Sequence, residues 1–201
     1  PIEIRSLHKE GSHTAQGQVH MWLEIRPERE ALREPRTVLE APEKREFEVR
    51  VICWKTKDVP YESGDYYAEF QIGDSKKQCT DIHWRCRSGR ASWNWRLKFP
   101  VELPLASPEL GRLNVQLWDK DIIKWNDIIG QSQLDLYRWL LKAYRENRAW
   151  LKMTYKDQKR HRVYHRGAIA ISVEILPKED AENRPAGHGI AEPNQNPTLP
   201  P

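Results

Sequence analysis

From Phe47 onward, short runs of β-branched and aromatic residues recur between turn signals, the pattern of an all-β sandwich. The runs predict strands at Phe47–Trp54, Tyr66–Ile72, Lys76–Ile82, Trp93–Phe99, Arg112–Trp118, Ile128–Leu134, Ala149–Thr154 and Gly167–Leu176. Within Arg112–Trp118, Leu113, Val115 and Leu117 share one face while Asn114, Gln116 and Trp118 take the other, so one side is buried and the other wetter. Only one segment has clear helical spacing. Leu136, Trp139, Leu140 and Ala143 form an apolar stripe with Asp135 as a candidate N-cap, which predicts a connecting helix on the sandwich. The expected fold is all-β: an eight-stranded antiparallel β-sandwich with one short helix insertion.

The flanks repeat one pattern. Gly17 to Ala31 runs strand, proline stop at Pro27 and acidic turn, and Gly167 to Ala181 repeats it in the same register around Pro177. Either the first copy closes a preceding module of the same kind, or Val19–Ile25 adds an edge strand to the present domain. The expected division is a flank over 1–45 with a strand at 17–26, a sandwich over 46–177, and a Pro/Gly/Asn-rich linker over 178–201.

Composition narrows the function classes. No stretch approaches the roughly 20 consecutive apolar residues of a membrane helix, and a start at Pro1 with an end in Pro200-Pro201 is expected of a fragment of something larger. The 3 cysteines, Cys53, Cys79 and Cys86, have no framework spacing, which favours reduced thiols in a cytosolic setting. Cys79, His83 and Cys86 could supply zinc ligands, but they lie in a strand-like stretch without a fourth, and ordinary placement is the simpler reading. A net charge of +4, with 33 basic and 29 acidic residues well mixed, permits attraction to an anionic surface without requiring it. Trp84 to Trp95 interleaves tryptophan and arginine as single-strand nucleic-acid platforms do, yet tryptophans so close together fit a sandwich core and edge better, and no nucleic acid is expected. With no nucleophile beside a base and histidines scattered, no enzyme is expected.

The chemistry concentrates in two loops. Trp118-Asp119-Lys120-Asp121-Ile122-Ile123-Lys124-Trp125-Asn126-Asp127 frames an apolar tip with carboxylates. Asp119 and Asp121 stand two apart at a strand end, Asp127 returns from the far side, and the spacing lacks the glycine turn and closing glutamate of an EF-hand. The loop Asp58-Val59-Pro60-Tyr61-Glu62-Ser63-Gly64-Asp65 is also acidic. If both meet at one end of the sandwich, Asp65, Asp119, Asp121 and Asp127 form a cup, with Asp58 or Glu62 as a further member. Such carboxylates repel unless a cation arrives, and calcium takes roughly 6–8 oxygens. Ile122, Ile123 and Trp125, with Tyr61 and Val59 beside them, would project beyond the cup toward a membrane interface.

The order Lys57-Asp-Val-Pro60, Ser63-Gly-Asp-Tyr-Tyr67, Asn94-Trp95 and Leu117-Trp-Asp-Lys-Asp121 through Asn126-Asp-Ile-Ile-Gly130 resembles a C2 domain. With Trp54–Val59 and the tail Arg184–Asn194, it resembles more narrowly the membrane-proximal C2 domain of the ferlins, over about Gly17 to Pro201. The resemblance implies a type II sandwich, calcium between the loops, and contact with anionic phospholipid in vesicle fusion or membrane repair, with fusion-machinery proteins as further partners. It also implies placement on the cytoplasmic face of a membrane, in a single-pass protein whose C-terminal membrane helix would follow Pro201. Asp65 falls on the second loop-one aspartate of calcium-binding C2 domains and Asp119, Asp121 and Asp127 on the loop-three set, while Val59 stands where the first loop-one aspartate would be. A concave phosphoinositide face would use Lys76, Lys77 and Lys98 with Tyr67, Trp118 and Asn126. The other function open to such a domain is calcium-independent scaffolding of proteins.

Overall fold

Residues that alternate apolar and polar become strands only where a neighbouring strand takes their backbone hydrogen bonds and a facing layer buries one side. A computed structural model describes residues 3–11, 15–33, 41–60, 63–121, 125–153 and 167–190. They fall into two contact units, Pro1–Ala41 and Pro42–Pro201.

The first unit is a hairpin of β1 (Glu3–His8) and β2 (Ala15–Met21), followed by a four-residue helix α1 (Glu28–Ala31) that starts at Pro27. Its strand covers Ala15–Met21 rather than the expected 17–26, and β2 pairs with β1 alone among the described strands.

The second unit is a sandwich of two antiparallel sheets. Its strands are β3 (Arg45–Lys57), β4 (Ser63–Ile72), β5 (Gln78–Cys79), β6 (His83–Arg87), β7 (Ser92–Leu103), β8 (Arg112–Asp119), β9 (Asp127–Asp135), β10 (Ala149–Met153) and β11 (Ala168–Pro177). One sheet has the order β10-β11-β3-β7 and the other β5-β4-β8-β9, with β6 also paired to β4. The core lies between them: Val49, Val51, Leu97, Phe99, Val173 and Ile175 from the first sheet meet Tyr66, Ala68, Phe70, Leu113 and Val115 from the second, all 5% exposed or less.

The strand expected at Lys76–Ile82 shrinks to the two residues of β5, and β6 was not expected. The reason lies at Thr80. Its hydroxyl accepts the Ala68 amide at 3.0 Å while its own amide donates to the Ala68 carbonyl at 2.9 Å, so a side chain replaces the next ladder bond. The helix α2 (Tyr137–Glu146) buries Leu140 and Ala143 as its spacing predicts, with Trp139 partly buried against the core; its N-cap is the buried Leu136 rather than the expected Asp135, whose Oδ1 accepts the Tyr137 amide at 2.9 Å.

The C-terminal segment departs furthest from expectation. Lys178–Asn183 is a helix, α3, with Ala181 buried, and the chain after it lies along the open edge of β7 rather than starting a linker at 178. Arg50 Nη2 donates to the carbonyls of Ala181 and Arg184, and Lys98 Nζ to that of Ala186. Arg184–Ile190 has too little apolar surface to order itself; an unpaired strand edge supplies the order instead.

Candidate functional site

The two acidic loops meet because β4 and β8 are neighbours in register. Tyr66 pairs with Asp119, and Asp119 in turn pairs with Asp127 across β8 and β9. This sets two carboxylates directly opposite on adjacent strands, an arrangement that costs stability when both are charged. Backbone amides fix the acids: the Asp65 amide donates to Asp119 Oδ1 at 2.7 Å, the Arg85 amide to Asp65 Oδ1 at 2.7 Å, and the Lys120 amide to the Asp65 carbonyl at 2.7 Å. Arg85 reaches its position with a left-handed backbone, φ 55°.

Partial burial, with the negative charges of Asp121, Asp65 and Asp127, pushes the Asp119 carboxyl up from its ordinary value, against the lowering effect of the Asp65 amide. No arginine or lysine forms an ion pair with any of these acids among the described residues. Nor, among those residues, does any group of three or more His, Cys, Asp or Glu side chains converge closely enough to hold a metal ion. The acids thus feel one another's charge without forming a closed coordination shell.

The expected tip residues divide. Trp125 is 93% exposed, ahead of Asp127. Val59 is a correction: it is 5% exposed and belongs to the core, because Gly89 and Gly167 close over its backbone so tightly that a β-carbon on either would collide with it. Asp58 is exposed, has φ 56°, and lies 3.6 Å from Lys57 Nζ; it is absent from the charges that act on Asp119. Tyr61, Glu62, Ile122 and Ile123 lie outside the described residues.

Below the acids, the outer face of β4 and β8 carries a second cluster. The Tyr67 and Trp118 rings lie parallel, with centroids 6.3 Å apart and 9° between planes, and Asn126 Nδ2 donates to the Tyr67 hydroxyl at 3.1 Å. Lys77 pairs with Glu69 at 2.8 Å, and Lys76 is exposed. Lys98 corrects the expected basic face: it lies on β7 in the other sheet, engaged with the tail, because β7 pairs with β3 and not with β4.

Sequence reasoning missed an open groove of about 470 Å³ on the same sheet, lined by Gln71, Asn114, Gln116, Gln131 and Gln133 with Glu69 and Lys77. Gln133 donates to Asn114 at 2.7 Å, and Lys77, the groove's cation, is neutralised. The wetter positions Asn114 and Gln116 were the available signal. The sulfur candidates do not meet: Cys86 Sγ donates to the His83 carbonyl while Cys79 lies against Glu69.

A family model described as the C2 domain matches residues 45–153 of this sandwich. The chain belongs to the C2 domain family. It is similar over its whole length to ferlins: 33% identical to Ferlin 1 of Toxoplasma gondii, with 100% of this chain and 14% of that protein covered, and 28% identical to Myoferlin of Mus musculus, with 100% and 12% covered. This C2 domain chain therefore spans about one-eighth of the length of the ferlins it matches. Among solved structures, an extended synaptotagmin 2 chain that carries an SMP domain and two C2 domains has a TM-score of 0.48 at 11% identity, covering 69% of this chain and 29% of that one. The full-length similarity to ferlins supports a membrane-associated C2 module.

Proposed function

We propose that this C2 domain is a non-catalytic, calcium-regulated phospholipid-binding module of a ferlin-like protein that acts in vesicle fusion or membrane repair. The observation that supports it most is the pairing of Asp119 with Asp127 in register, beside Asp65, with the 93% exposed Trp125 between them in the chain. Carboxylate oxygens with no cationic side chain paired to them among the described residues fit a hard divalent cation. Asp65, Asp119, Asp121 and Asp127 are the residues that would hold it. A bound calcium ion would supply positive charge at the loop end.

Each residue then has a defined part. The Asp65, Arg85 and Lys120 amides hold the acids in place without neutralising them. Trp125 presents an apolar ring with an N–H that stays wet, the chemistry of the headgroup layer. Anionic phospholipid is the expected partner surface, and the cytoplasmic face of a membrane the expected location.

Two observations favour a calcium-independent scaffold instead: Val59 is core at the position where the resemblance places another acid, and the described acids do not converge. Isothermal titration of calcium into the protein with soluble short-chain phosphatidylserine distinguishes the two. Heat that depends on Asp119 and Asp121 supports the proposal; no calcium uptake with either phosphatidylserine or phosphatidylcholine supports the scaffold.

A further inference from the structure

Period two along β7 sends Trp93, Leu97 and Phe99 into the core and Arg96 and Lys98 to the outer face of the same strand. An arginine so placed on an edge strand is ordinarily wet. Arg96 is instead 2% exposed. Its Nη1 donates to the Asn94 carbonyl at 2.7 Å, while Nε and Nη2, which together form one edge of the guanidinium, have no acceptor among the described residues. The indole N–H of the adjacent Trp95 is buried without an acceptor among them as well.

No acid answers this charge among the described residues. Across the strand pair Arg96 faces Ile52, and the acids of that face, Glu48 and Glu174, are both held by Arg50. Burial alone pushes the Arg96 guanidinium below its ordinary value, with no neighbouring carboxylate to offset it. Lys98, two residues on, donates its Nζ to the Ala186 carbonyl at 2.8 Å. A guanidinium buried without acceptors is a standing cost, and a missing anion is one of the few reasons a native structure keeps one.

The segment Arg184–Ile190 lies across these cations. It runs over the outer face from Arg50, which donates to the Arg184 carbonyl, past Lys98 to the β7 edge, where Gly189 exchanges two backbone bonds with Arg96. Its apolar anchorage is slight: Gly189 is its only buried residue, and the His188 ring meets Trp95 edge-on at 5.9 Å. A segment held by a few bonds over an unsatisfied charge opens at low cost.

We infer that Arg96 and Lys98 form a phosphate-binding site that Arg184–Ile190 covers as a releasable strap, so that strap and phosphate compete for it. The edge formed by Nε and Nη2 of Arg96 presents two parallel N–H donors, the fork that matches two oxygens of one phosphate. The Lys98 ammonium, freed from the Ala186 carbonyl, supplies a second positive charge. Two cations favour a phosphate with two negative charges over a single carboxylate. That phosphate is either free in solution or carried by a lipid headgroup, and its site lies on the sheet opposite to that of Asp65 and Asp119.

Amide hydrogen exchange on the 201-residue chain in a calcium chelator tests this without engaging those acids. Inorganic phosphate should speed exchange over Arg184–Ile190 and at the Arg96 amide by about fivefold or more, the low end of typical linkage, relative to chloride at equal ionic strength. Exchange in β3 and β11 should stay the same. Vesicles of phosphatidic acid with phosphatidylcholine, compared with phosphatidylcholine alone, distinguish the sources: a response to inorganic phosphate assigns a soluble ligand, and a response to phosphatidic acid only assigns a headgroup. Arg96→Met should abolish either response and slow exchange of the strap, since the uncompensated charge is gone. Gly189→Ala leaves both cations in place and, by reciprocity, should bind inorganic phosphate or phosphatidic acid vesicles about fivefold tighter; it decides the question if Arg96→Met fails to fold. Three results each overturn the inference: no response to either source beyond its control, faster strap exchange in a folded Arg96→Met, or unchanged phosphate affinity in Gly189→Ala.

Discussion

Asp119 and Asp127 occupy one cross-strand pair, with the Asp65 amide hydrogen-bonded to Asp119 at 2.7 Å. Without a cation this arrangement weakens the fold. Asp119→Asn keeps an acceptor for the Asp65 amide and removes one charge, so the metal-free protein should gain roughly 0.5 kcal/mol at neutral pH, within the range of a cross-strand charge pair. The sign follows from the raised Asp119 carboxyl: the folded state holds the proton more tightly than the unfolded one. The cost is therefore absent below the ordinary value of 3.8 and grows as pH rises through the folded pKa. Urea unfolding in a chelator at several pH values checks this, and an advantage for Asp119→Asn that grows toward low pH would contradict it.

Trp125 contributes little to the fold. With 93% of its surface exposed, Trp125→Ala should leave the unfolding midpoint unchanged. Burial of a large apolar side chain gives roughly 1.5–3 kcal/mol, so the substitution should lower partitioning onto anionic vesicles by at least about tenfold. Vesicle pelleting with and without the substitution measures it.

Val59 should behave the opposite way. Val59→Ala opens space beneath Gly89 and Gly167 and should cost roughly 1–3 kcal/mol of stability, while vesicle affinity of the folded fraction stays the same. A large loss of vesicle affinity without a loss of stability would return Val59 to the surface.

The docked tail rests on Gly189, whose amide and carbonyl exchange bonds of 3.0 and 2.9 Å with Arg96. Its φ of +68° disfavours a side chain, and a β-carbon would sit 3.0 Å from the Trp95 ring. Gly189→Ala should therefore release Arg184–Ile190, raise exchange at the Arg96 amide, and cost about 1 kcal/mol or more. Unchanged exchange at Arg96 would mean that the bridge does not hold the segment.

Much of this was legible along the chain because it depends on local period. Leu113, Val115 and Leu117 declared the buried face of β8, and Leu136, Leu140 and Ala143 that of α2. The meeting of Asp119 and Asp127 was legible too, since a strand, a short tip and a second strand force a return in register. What was not legible depends on distant partners. Val59 looks like any exposed loop valine until Gly89 and Gly167 close over it. Lys98 looks like part of one basic face until β7 is assigned to the other sheet. Arg184–Ile190 has the composition of a linker and is ordered by the edge of β7 and by Arg50 of β3.

The central claim is that the acids between β8 and β9, with Asp65, make membrane contact depend on calcium. Co-sedimentation with vesicles containing phosphatidylserine, across a calcium titration, tests it for the native chain and for Asp119→Asn with Asp121→Asn. The account predicts calcium-dependent pelleting of the native chain, lost in the double variant and in vesicles of phosphatidylcholine alone. Pelleting that ignores calcium and survives both substitutions would contradict it.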